Sequence, residues 1–458
     1  MIWTNPNTNL LEFVEENFAL QDRPNPRLFR SVFSYDEVPK VAFNNISVPR
    51  NMPEDIWITD TTFRDGQQSR RPYTTEQILH IYDKLHQLGG EKGLIRQSEF
   101  FLYTKKDKEA VYKCRERGYK FPEVTSWIRA SKKDFELVKE MELEETGILV
   151  SCSDYHIYYK MKMTRKEALE YYLNVVRECI ETGVRPRCHL EDITRADFYQ
   201  FVVPFVNALV ELGKEANCPI KIRACDTLGY GVTYPGAMLP RSVPGIIHGL
   251  HHYAQVPESM IEWHGHNDFY RAVSNASNAW LYGASGVNCS LFGIGERTGN
   301  TPLEAMVMEY AQLKGTLDGM DTTVITELAE YYENEIGYEI PPLTPFVGSE
   351  FNLTRAGIHA DGLLKNEEIY NIFDTDKILN RPVRIAISNT SGTSSVAQWI
   401  NRHFGLKGDK VVGKDNKLVV EVKNWIDDQY NDGRVTTIGD DELLEIINEY
   451  KNEMGVEF

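Results

Sequence analysis

The sequence has few cysteines, and none lies in a pattern that binds metal or forms a disulfide framework. Its 7 cysteines are scattered between Cys114 and Cys289, with no CxxC pair and no paired spacing. This distribution argues against a thiolate zinc site and against a small scaffold held together by disulfides. It favours a reducing setting, so we predict a cytoplasmic location.

Basic runs and long apolar runs are also missing. The 50 basic residues are outnumbered by 67 acidic ones, which gives a net charge of −17, and no basic stretch is interleaved with aromatic residues. Nucleic acids and acidic membrane surfaces are therefore poor candidate partners. No run of about 20 apolar residues occurs, and the N-terminal segment is acidic where a signal peptide is basic. We predict no membrane partner.

The length of 458 residues predicts one large domain and one or two small ones, because hydrophobic cores stop growing near ~250 to 300 residues. Residues 1–54 are predicted to form an arm, with a short amphipathic helix near Leu10 to Phe18 and a Pro- and Asn-rich path after it. Such an arm packs on its own domain or on a neighbouring subunit, and on this basis we predict a homodimer.

Short β-type runs alternate with helical stretches over residues 55–320, which is the pattern of repeated βα units. The candidate strands are IWITDT, GLIRQS, PEVTSWI, GILVSC, PRCHLE, IKIRAC, SMIEWHG and GVNCSLFG. Eight strands close a parallel barrel, and we predict an α/β fold of the TIM (β/α)8 type. The alternative is an open doubly wound sheet. The barrel is preferred because the polar clusters all follow strand ends, where barrel enzymes build their active sites.

Capping-box patterns indicate where two helices begin, and the sequence pattern changes beyond the barrel. Thr74 with Gln77, and Thr164 with Glu167, form capping-box patterns. After residue 320 the alternation ends in a Pro-rich passage, followed by a mixed region and acidic amphipathic helices. We predict a flap or linker subdomain over residues 321–400 that carries His359, and a small helical domain over residues 401–458.

A metal site is predicted from three separate strand ends. His264 and His266 are two residues apart on one strand, so both rings point to the same face, and Asp65 ends the first strand. A lone His is more often a core residue than a ligand, but a pair in register favours metal. Barrel closure makes these ends neighbours. Two imidazoles and a carboxylate suit Mn²⁺ or Mg²⁺, with Fe²⁺, Zn²⁺ or Co²⁺ as alternatives.

A glycine-rich loop, GIGERTGN, follows the eighth strand and allows two interpretations. Gly293, Gly295 and Gly299 form either an ordinary strand-to-helix turn or an anion site whose backbone amides bind the co-substrate. Asn300 either caps the next helix or reaches the metal.

Four motifs, TTFRDGQQ, HGHND, FGIGERTGN and AGIHADGLLKNEEIY, lie in this order within residues 56–375. Together they resemble the family that contains 2-isopropylmalate, homocitrate, citramalate and Re-face citrate synthases, which are metal-dependent Claisen-condensing barrels. The resemblance implies a 2-oxo acid substrate with acetyl-CoA as co-substrate. It also implies that Asp65, His264 and His266 bind the metal, with Asn300 a nearby or fourth ligand.

The resemblance further implies catalytic roles. Arg64 would polarise the ketone, Glu191 matches the active-site glutamate, and Thr227 matches the threonine that holds the keto-acid carboxylate. His359 and Tyr370 match the pair that the appended segment brings over the barrel mouth. A His on a mobile flap can deprotonate the thioester methyl as water is excluded. The alternative for His359 alone is an ordinary surface histidine.

The identity of the keto acid depends on basic residues near the strand ends. The family places Glu after the second strand, and we align Gln97 with it, which is a departure. Oxaloacetate carries a second carboxylate that an apolar pocket would reject. Arg96, Arg129 and His156 are candidates to neutralise it, and Gln68 is a further expected substrate contact. Arg96 could equally form a rim salt bridge.

We therefore expect the reaction of the Re-face citrate synthases, in which acetyl-CoA and oxaloacetate give citrate and CoA. Homocitrate synthase, which uses another dicarboxylate, is the nearest alternative, followed by 2-isopropylmalate or citramalate synthase. A hydroxymethylglutaryl-type lyase is disfavoured because its glycine loop carries a cysteine that GIGERTGN lacks. A two-His-one-carboxylate oxygenase would share the ligands but would not need the HADG segment.

Overall fold

The computed structural model describes residues 2–4, 11–13, 18–129, 131–355 and 357–455. The chain divides into two compact units, Met1–Asp321 and Thr322–Phe458. Each unit is described by itself below.

The N-terminal arm belongs to the first unit. Strand β1 (Ile2–Thr4) pairs antiparallel with β2 (Leu11–Phe13). The predicted helix is therefore wrong over residues 11–13, and residues 10 and 14–17 lie outside the described residues. A single short periodic run is marginal as a helix, so pairing with another strand overrides it.

The rest of the first unit forms a closed barrel of eight parallel strands, in which the last barrel strand pairs with the first barrel strand. This confirms the predicted TIM barrel. The strands are β3 (Trp57–Asp60), β4 (Ile95–Phe100), β5 (Glu123–Ile128), β6 (Glu145–Ser151), β7 (Arg185–Glu191), β8 (Lys221–Asp226), β9 (Ile261–Gly265) and β10 (Gly286–Cys289).

Eight helices alternate with these strands. They are α1 (Thr75–Gly89), α2 (Lys105–Glu116), α3 (Lys132–Glu140), α4 (Arg165–Glu181), α5 (Val203–Glu215), α6 (Val243–His252), α7 (Ala272–Leu281) and α8 (Leu303–Lys314). Both predicted capping boxes are present: Thr74 with Gln77 starts α1, and Thr164 with Glu167 starts α4. Among the described residues, no helix has the length and apolar character needed to cross a membrane.

The register of the strands brings three predicted site segments together. Asn288 of β10 pairs with His264 of β9, and Cys289 of β10 pairs with Asp60 of β3. Because all eight strands are parallel, their carboxyl ends form one mouth. Single helical turns, Thr62–Gly66 after β3 and Tyr155–Lys160 after β6, carry further site residues at this mouth.

Charged side chains occupy part of the barrel interior, where apolar residues are usual. Glu99 is 1% exposed and accepts hydrogen bonds from Arg223 Nη1 at 3.0 Å, Arg64 Nε at 2.7 Å and Arg187 Nη2. Burial opposes ionisation of Glu99, but these arginines hold its pKa well below the usual range. A buried charge is tolerated only when it is fully paired, so this network requires all its members.

The second unit contains α9 (Val324–Tyr331), β11 (Leu353–Thr354), α10 (Gly357–Lys365), α11 (Thr375–Leu379), β12 (Arg384–Ile385), α12 (Thr393–His403), α13 (Lys417–Asn431) and α14 (Asp440–Met454). One hydrophobic core joins residues from both sides of position 400, including Val396, Ile400, Leu418 and Ile447. The boundary predicted between residues 400 and 401 lies inside α12, so these segments form one unit.

Candidate metal centre and active site

The three predicted metal ligands converge at the mouth of the barrel. Nε2 of His264 and Nε2 of His266 are 3.2 Å apart, and each lies 3.9 Å from Asp65 Oδ2. All three side chains are buried. In the described part of the chain, this is the only group of three or more His, Cys, Asp or Glu side chains close enough to hold a metal ion.

The protonation of the triad suits a cation. His264 Nδ1 lies 2.8 Å from Asn288 Oδ1, and Asn288 Nδ2 in turn donates to Thr59 Oγ1 at 3.0 Å. His264 therefore donates from Nδ1 and leaves a lone pair on Nε2. Burial lowers the pKa of His264, and burial with the charge of His264 lowers the pKa of His266 to about 4. Both rings are neutral at pH 7, as metal ligation requires.

The Asp65 carboxylate is the anionic member of the group. Burial opposes its ionisation, but the charge of Arg64, the charges of His264 and His266 when these rings are protonated, and a hydrogen bond from Asn300 lower its pKa. Asp65 and the two rings together offer one oxygen and two nitrogen ligand atoms that all lie within 4.8 Å of one another. The residues therefore fit a divalent metal with open positions.

The structure separates the two interpretations of Asn300. Its Nδ2 donates to Asp65 Oδ2 at 2.7 Å, whereas α8 begins after Pro302 with no side-chain cap. Asn300 Oδ1 is buried and has no hydrogen-bond partner among the described residues. An amide oxygen is a group of the type that divalent cations such as Ca²⁺ accept as a ligand, so Asn300 stays the predicted fourth ligand.

The glycine loop has a geometric reason for its composition. Gly299 has φ of +86°, and a Cβ there would lie 2.0 Å from Gly293 O. A Cβ on Gly295 would lie 2.8 Å from the side-chain amide of Asn300. The glycines thus allow the loop to fold tightly enough to present Asn300 to Asp65. Their predicted role in binding the co-substrate stays a prediction.

Arg64 links the metal ligands to the charged interior. Its Nη1 donates to Asp65 Oδ1 at 2.8 Å, and its Nε donates to Glu99 Oε2 at 2.7 Å. Nη2 makes no hydrogen bond within the described residues. Burial lowers the pKa of Arg64, but Glu99 and Asp65 outweigh it and raise the pKa above the ordinary value. The residue is a fixed positive charge beside the metal site.

A second polar group lies at the ends of β6 and β7. Glu191 Oε2 is 3.0 Å from His156 Nδ1 and 3.2 Å from Lys160 Nζ, and it accepts from Ser151 Oγ. Burial raises the pKa of Glu191, but the hydrogen bond and charge of His156, with Ser151 and Lys160, outweigh it and lower the pKa to about 2. The predicted Thr227 is close by: its Oγ1 accepts from Asp192 N at 2.9 Å.

Comparison with known proteins identifies the family. The HMGL-like family model matches residues 55–331. The chain is 59% identical to citrate (Re)-synthase of Clostridium kluyveri over 96% of this chain and 97% of that protein. This chain belongs to the HMGL-like family. The predicted family is thereby confirmed.

Two further matches agree with this assignment. The citrate (Re)-synthase of Syntrophus aciditrophicus is 54% identical over 95% of this chain and 70% of that protein. The HMG-CoA lyase of Bacillus subtilis superposes with a TM-score of 0.50 at 18% identity, over 63% of this chain and 96% of that one. At this identity the solved structure supports the barrel fold alone.

Within this HMGL-like barrel, not every predicted substrate residue lies at the mouth. Arg96 is near the amino end of β4, where its Nη2 donates to Asp55 Oδ1 at 2.9 Å. The rim salt bridge, which was the alternative interpretation, is observed. Arg129 follows β5 at the carboxyl end but is 73% exposed and pairs with Asp134 at 3.3 Å. Gln68 is exposed. The roles of Arg129 and Gln68 stay predictions.

His359 and Tyr370 lie together in the second unit. Their ring centroids are 4.4 Å apart, with His359 on α10 and Tyr370 just after the turn Glu367–Ile369. Tyr370 is 45% exposed. The two rings are in contact, whereas their predicted position over the barrel mouth and their role in catalysis stay predictions.

Sequence reasoning missed two residues of the site. Glu99 is the carboxylate beside Arg64, and the departure inferred at Gln97 stays a prediction. Asn288, which orients His264, was also missed. Alternation along a strand places residues 97 and 99 on the same inward face, which could have suggested Glu99. No local signal distinguishes Asn288 from an ordinary strand residue.

Proposed function

We propose that this chain is a citrate (Re)-synthase, which condenses acetyl-CoA with oxaloacetate and hydrolyses the thioester to release citrate and CoA. The observation that carries the proposal is 59% identity to a citrate (Re)-synthase over 96% of this chain and 97% of that protein. The metal-binding geometry of Asp65, His264 and His266 agrees with this chemistry. The function expected from the sequence is therefore the one that these relatives support.

The residues of the triad would hold a divalent cation, with Asn300 Oδ1 as an additional ligand. We propose Mn²⁺ or Mg²⁺, because the mixed nitrogen and oxygen set with open positions is compatible with both. A cation bound here polarises the substrate ketone and stabilises the negative charge that develops on its oxygen.

Arg64 acts on the same oxygen. Its Nε and Nη1 are occupied by Glu99 and Asp65, which fixes the plane of the guanidinium. Nη2 makes no hydrogen bond within the described residues and is available for a substrate oxygen. A pre-oriented positive charge stabilises a developing oxyanion without reorganisation during the reaction.

The group around Glu191 binds and orients the 2-oxo acid. Thr227 donates a hydrogen bond from its hydroxyl to the substrate carboxylate. Lys160 supplies positive charge close to Glu191, and His156 Nδ1 lies 3.0 Å from Glu191 Oε2. Because Arg96 lies at the amino end of the barrel, His156 and Arg129 are the remaining predicted partners for the distal carboxylate of oxaloacetate.

His359 deprotonates the methyl group of acetyl-CoA, and Tyr370 orients it. The support for this step is the ring contact of 4.4 Å together with the motif that carries both residues. We also propose a homodimer and a cytoplasmic location, supported by the exposed apolar side chains of the arm, Tyr35 and Val38, and by the free cysteines. Light scattering of the purified chain tests the dimer.

The test of the function is CoA release from acetyl-CoA with oxaloacetate, 2-oxoglutarate, 2-oxoisovalerate or pyruvate. We expect kcat/KM for oxaloacetate to exceed that for 2-oxoisovalerate by roughly 10⁴, because a site built for a charged partner leaves its own groups unpaired when an isopropyl group replaces it. Labelled acetyl-CoA then shows, from the position of the label in citrate, whether addition occurs on the Re face. A higher kcat/KM for 2-oxoglutarate or 2-oxoisovalerate would overturn the assignment.

A further inference from the structure

Asp192 directly follows Glu191 and has an unusual backbone. Its φ is 65° and its ψ is 37°, in the left-handed region that non-glycine residues rarely adopt. Asp and Asn tolerate this region better than other side chains because they hydrogen-bond locally. The side chain is fully buried. A buried carboxylate in such a conformation persists only when its surroundings hold it.

Three loops at the barrel mouth hold Asp192. From the loop after β6, Ser153 Oγ donates to Asp192 Oδ2 at 2.5 Å. From its own loop, Arg195 Nε donates to Oδ1 at 2.9 Å. In the loop after β8, Thr227 Oγ1 accepts from the backbone N–H of Asp192 at 2.9 Å. One residue thus connects the loops of three successive strands.

His156 lies between Asp192 and Glu191. Its Nδ1 is 3.0 Å from Glu191 Oε2, and its Nε2 is 3.7 Å from Asp192 Oδ2. The ring is therefore at hydrogen-bond distance from Glu191 on one side and faces the Asp192 carboxylate, just beyond that distance, on the other. Without the charge of the Asp192 carboxylate, the ring would keep only its contacts at Nδ1, with Glu191 Oε2 at 3.0 Å and Lys160 Nζ at 3.5 Å, and could rotate away from Glu191.

The backbone of Asp192 also orients the Thr227 hydroxyl. The N–H of Asp192 occupies an acceptor position on Thr227 Oγ1, and the other hydrogen-bond neighbour of this oxygen, Cys225 O, is 3.5 Å away. At that distance the hydroxyl proton is only weakly held. It is therefore available to a substrate carboxylate.

We propose that Asp192 is a positioning residue, which fixes His156 against Glu191 with its side chain and orients the Thr227 hydroxyl with its backbone. It touches no substrate atom itself. The inference rests on the proposed function, because it assigns Glu191, His156 and Thr227 to the site that binds the 2-oxo acid.

The main test is Asp192→Asn, since Asn also tolerates a left-handed backbone and keeps the N–H that Thr227 accepts. We expect kcat/KM for oxaloacetate to fall about 10- to 100-fold, the usual effect of losing a residue that orients a functional group. We also expect the acid limb of the pH profile to move to higher pH. The hydrogen bond of His156 helps to keep the pKa of Glu191 at about 2, so a looser His156 lets this pKa rise.

The charged and titratable groups facing Glu191 define what the pH profile reports. They are His156, Lys160, Asp192, the phenol of Tyr172 and the thiols of Cys152 and Cys225. Asp197→Asn is the matched control, because Asp197 is a buried carboxylate in the same segment that pairs with Arg165 at 3.1 Å and contacts none of these groups. Asp197→Asn should lower thermal stability and leave the acid limb in place.

A double-mutant cycle separates positioning from a general structural effect. If Asp192 acts through His156, combining Asp192→Asn with His156→Gln should cost no more than the larger single change. Additive losses would overturn the proposal, as would Asp192→Asn with the kcat/KM and acid limb of the wild type. Ser153→Ala removes one hydrogen bond to Asp192 and keeps the charge of Asp192. It should therefore lower kcat/KM and move the acid limb in the same direction by smaller amounts, and it keeps the test usable if Asp192→Asn folds poorly.

The outcome is distinguishable from failure of the proposed function. A wild-type chain that releases CoA with another 2-oxo acid but not with oxaloacetate refutes the citrate assignment. The same cycle measured with that acid then supports or overturns the role of Asp192.

Discussion

Buried charged side chains are paired in one part of the barrel, its middle, whereas buried polar side chains are only partly paired in another, its mouth. In the middle, Glu99 is paired with three arginines, and Arg223 also donates to Glu262 at 3.0 Å. At the mouth, Asn300 Oδ1 and His266 Nδ1 are buried without a hydrogen-bond partner among the described residues. Both regions are equally buried, so burial is not what distinguishes them.

The difference shows which polar groups serve structure and which serve a ligand. A buried polar atom without a partner costs about 1–3 kcal/mol, so a stable fold keeps few of them. In the middle of the barrel the chain itself supplies the partners of Glu99, Arg187 and Arg223. At the mouth, Asn300 Oδ1 and His266 Nδ1 stay without a partner among the described residues, where we propose that a cation and a substrate bind. The following predictions test this contrast, from the largest expected effect to the smallest.

The largest effect is expected at the mouth. His266→Ala removes a metal ligand, so metal-stimulated activity should fall to background while the circular dichroism spectrum stays that of the wild type. Calorimetric titration with Mn²⁺ should show the loss of binding. His248→Ala is the matched control, because His248 Nδ1 is also buried without a hydrogen-bond partner in the described part of the chain but lies on α6 outside the triad. Full metal-stimulated turnover in His266→Ala would remove this site from consideration.

A large effect is also expected outside the barrel. If His359 is the base, His359→Ala should lower kcat by ~10² to 10⁴ with little change in oxaloacetate affinity. Steady-state rates and calorimetric binding of oxaloacetate measure the two quantities. His403→Ala changes another histidine of the second unit and should leave kcat near the wild-type value. Equal losses of kcat and affinity in His359→Ala would mean that the residue binds substrate and does not catalyse.

In the middle of the barrel we expect lost stability. Arg223→Met leaves Glu99 and Glu262 without one of their cations, which should cost ~3–5 kcal/mol of the free energy of unfolding. Urea denaturation measures it. Arg223→Met combined with Glu262→Met should recover part of the loss, since the second change removes a carboxylate left unpaired. A single variant as stable as the wild type would contradict the contrast between the two regions.

Glu304 tests a buried carboxyl that has no cation. Burial, opposed by hydrogen bonds including one from Phe292 N, raises its pKa from 4.5 to about 7. Because the pKa of Glu304 is raised in the folded state, the stability that the group contributes below pH 4.5 is lost as the pH rises through about 7. The difference between the two pKa values corresponds to roughly 3 kcal/mol of the free energy of unfolding. In thermal melts, the stability of Glu304→Gln relative to the wild type should therefore increase as the pH is raised from about 5 to about 8. A difference that does not change with pH would contradict it.

The smallest effect is expected at the amino end of the barrel. Arg96→Leu breaks a partly exposed pair with Asp55, which should cost about 0–1 kcal/mol. The preference for oxaloacetate over pyruvate should be unchanged. Arg129→Leu is the matched variant at the carboxyl end, and it should reduce the preference for oxaloacetate over pyruvate if Arg129 binds the distal carboxylate. An eroded preference in Arg96→Leu would contradict its placement at the amino end.

Local patterns in the sequence determined the barrel and the core of its site. The eight strands follow from short β-type runs between helical stretches, and the capping boxes at Thr74 and Thr164 are local hydrogen-bond patterns. The metal triad follows as well, because a period of two places His264 and His266 on one face and parallel strands share one carboxyl end.

Only the tertiary structure decided which polar groups find partners within the chain. Arg96 faces Asp55 instead of the mouth, Asn300 reaches Asp65 instead of capping α8, and Glu99 takes the position beside Arg64. Each outcome depends on strands or loops that are 35 or more residues apart in sequence but adjacent in the ring. The sequence pattern places a side chain on a face, whereas barrel closure and register determine what it meets there.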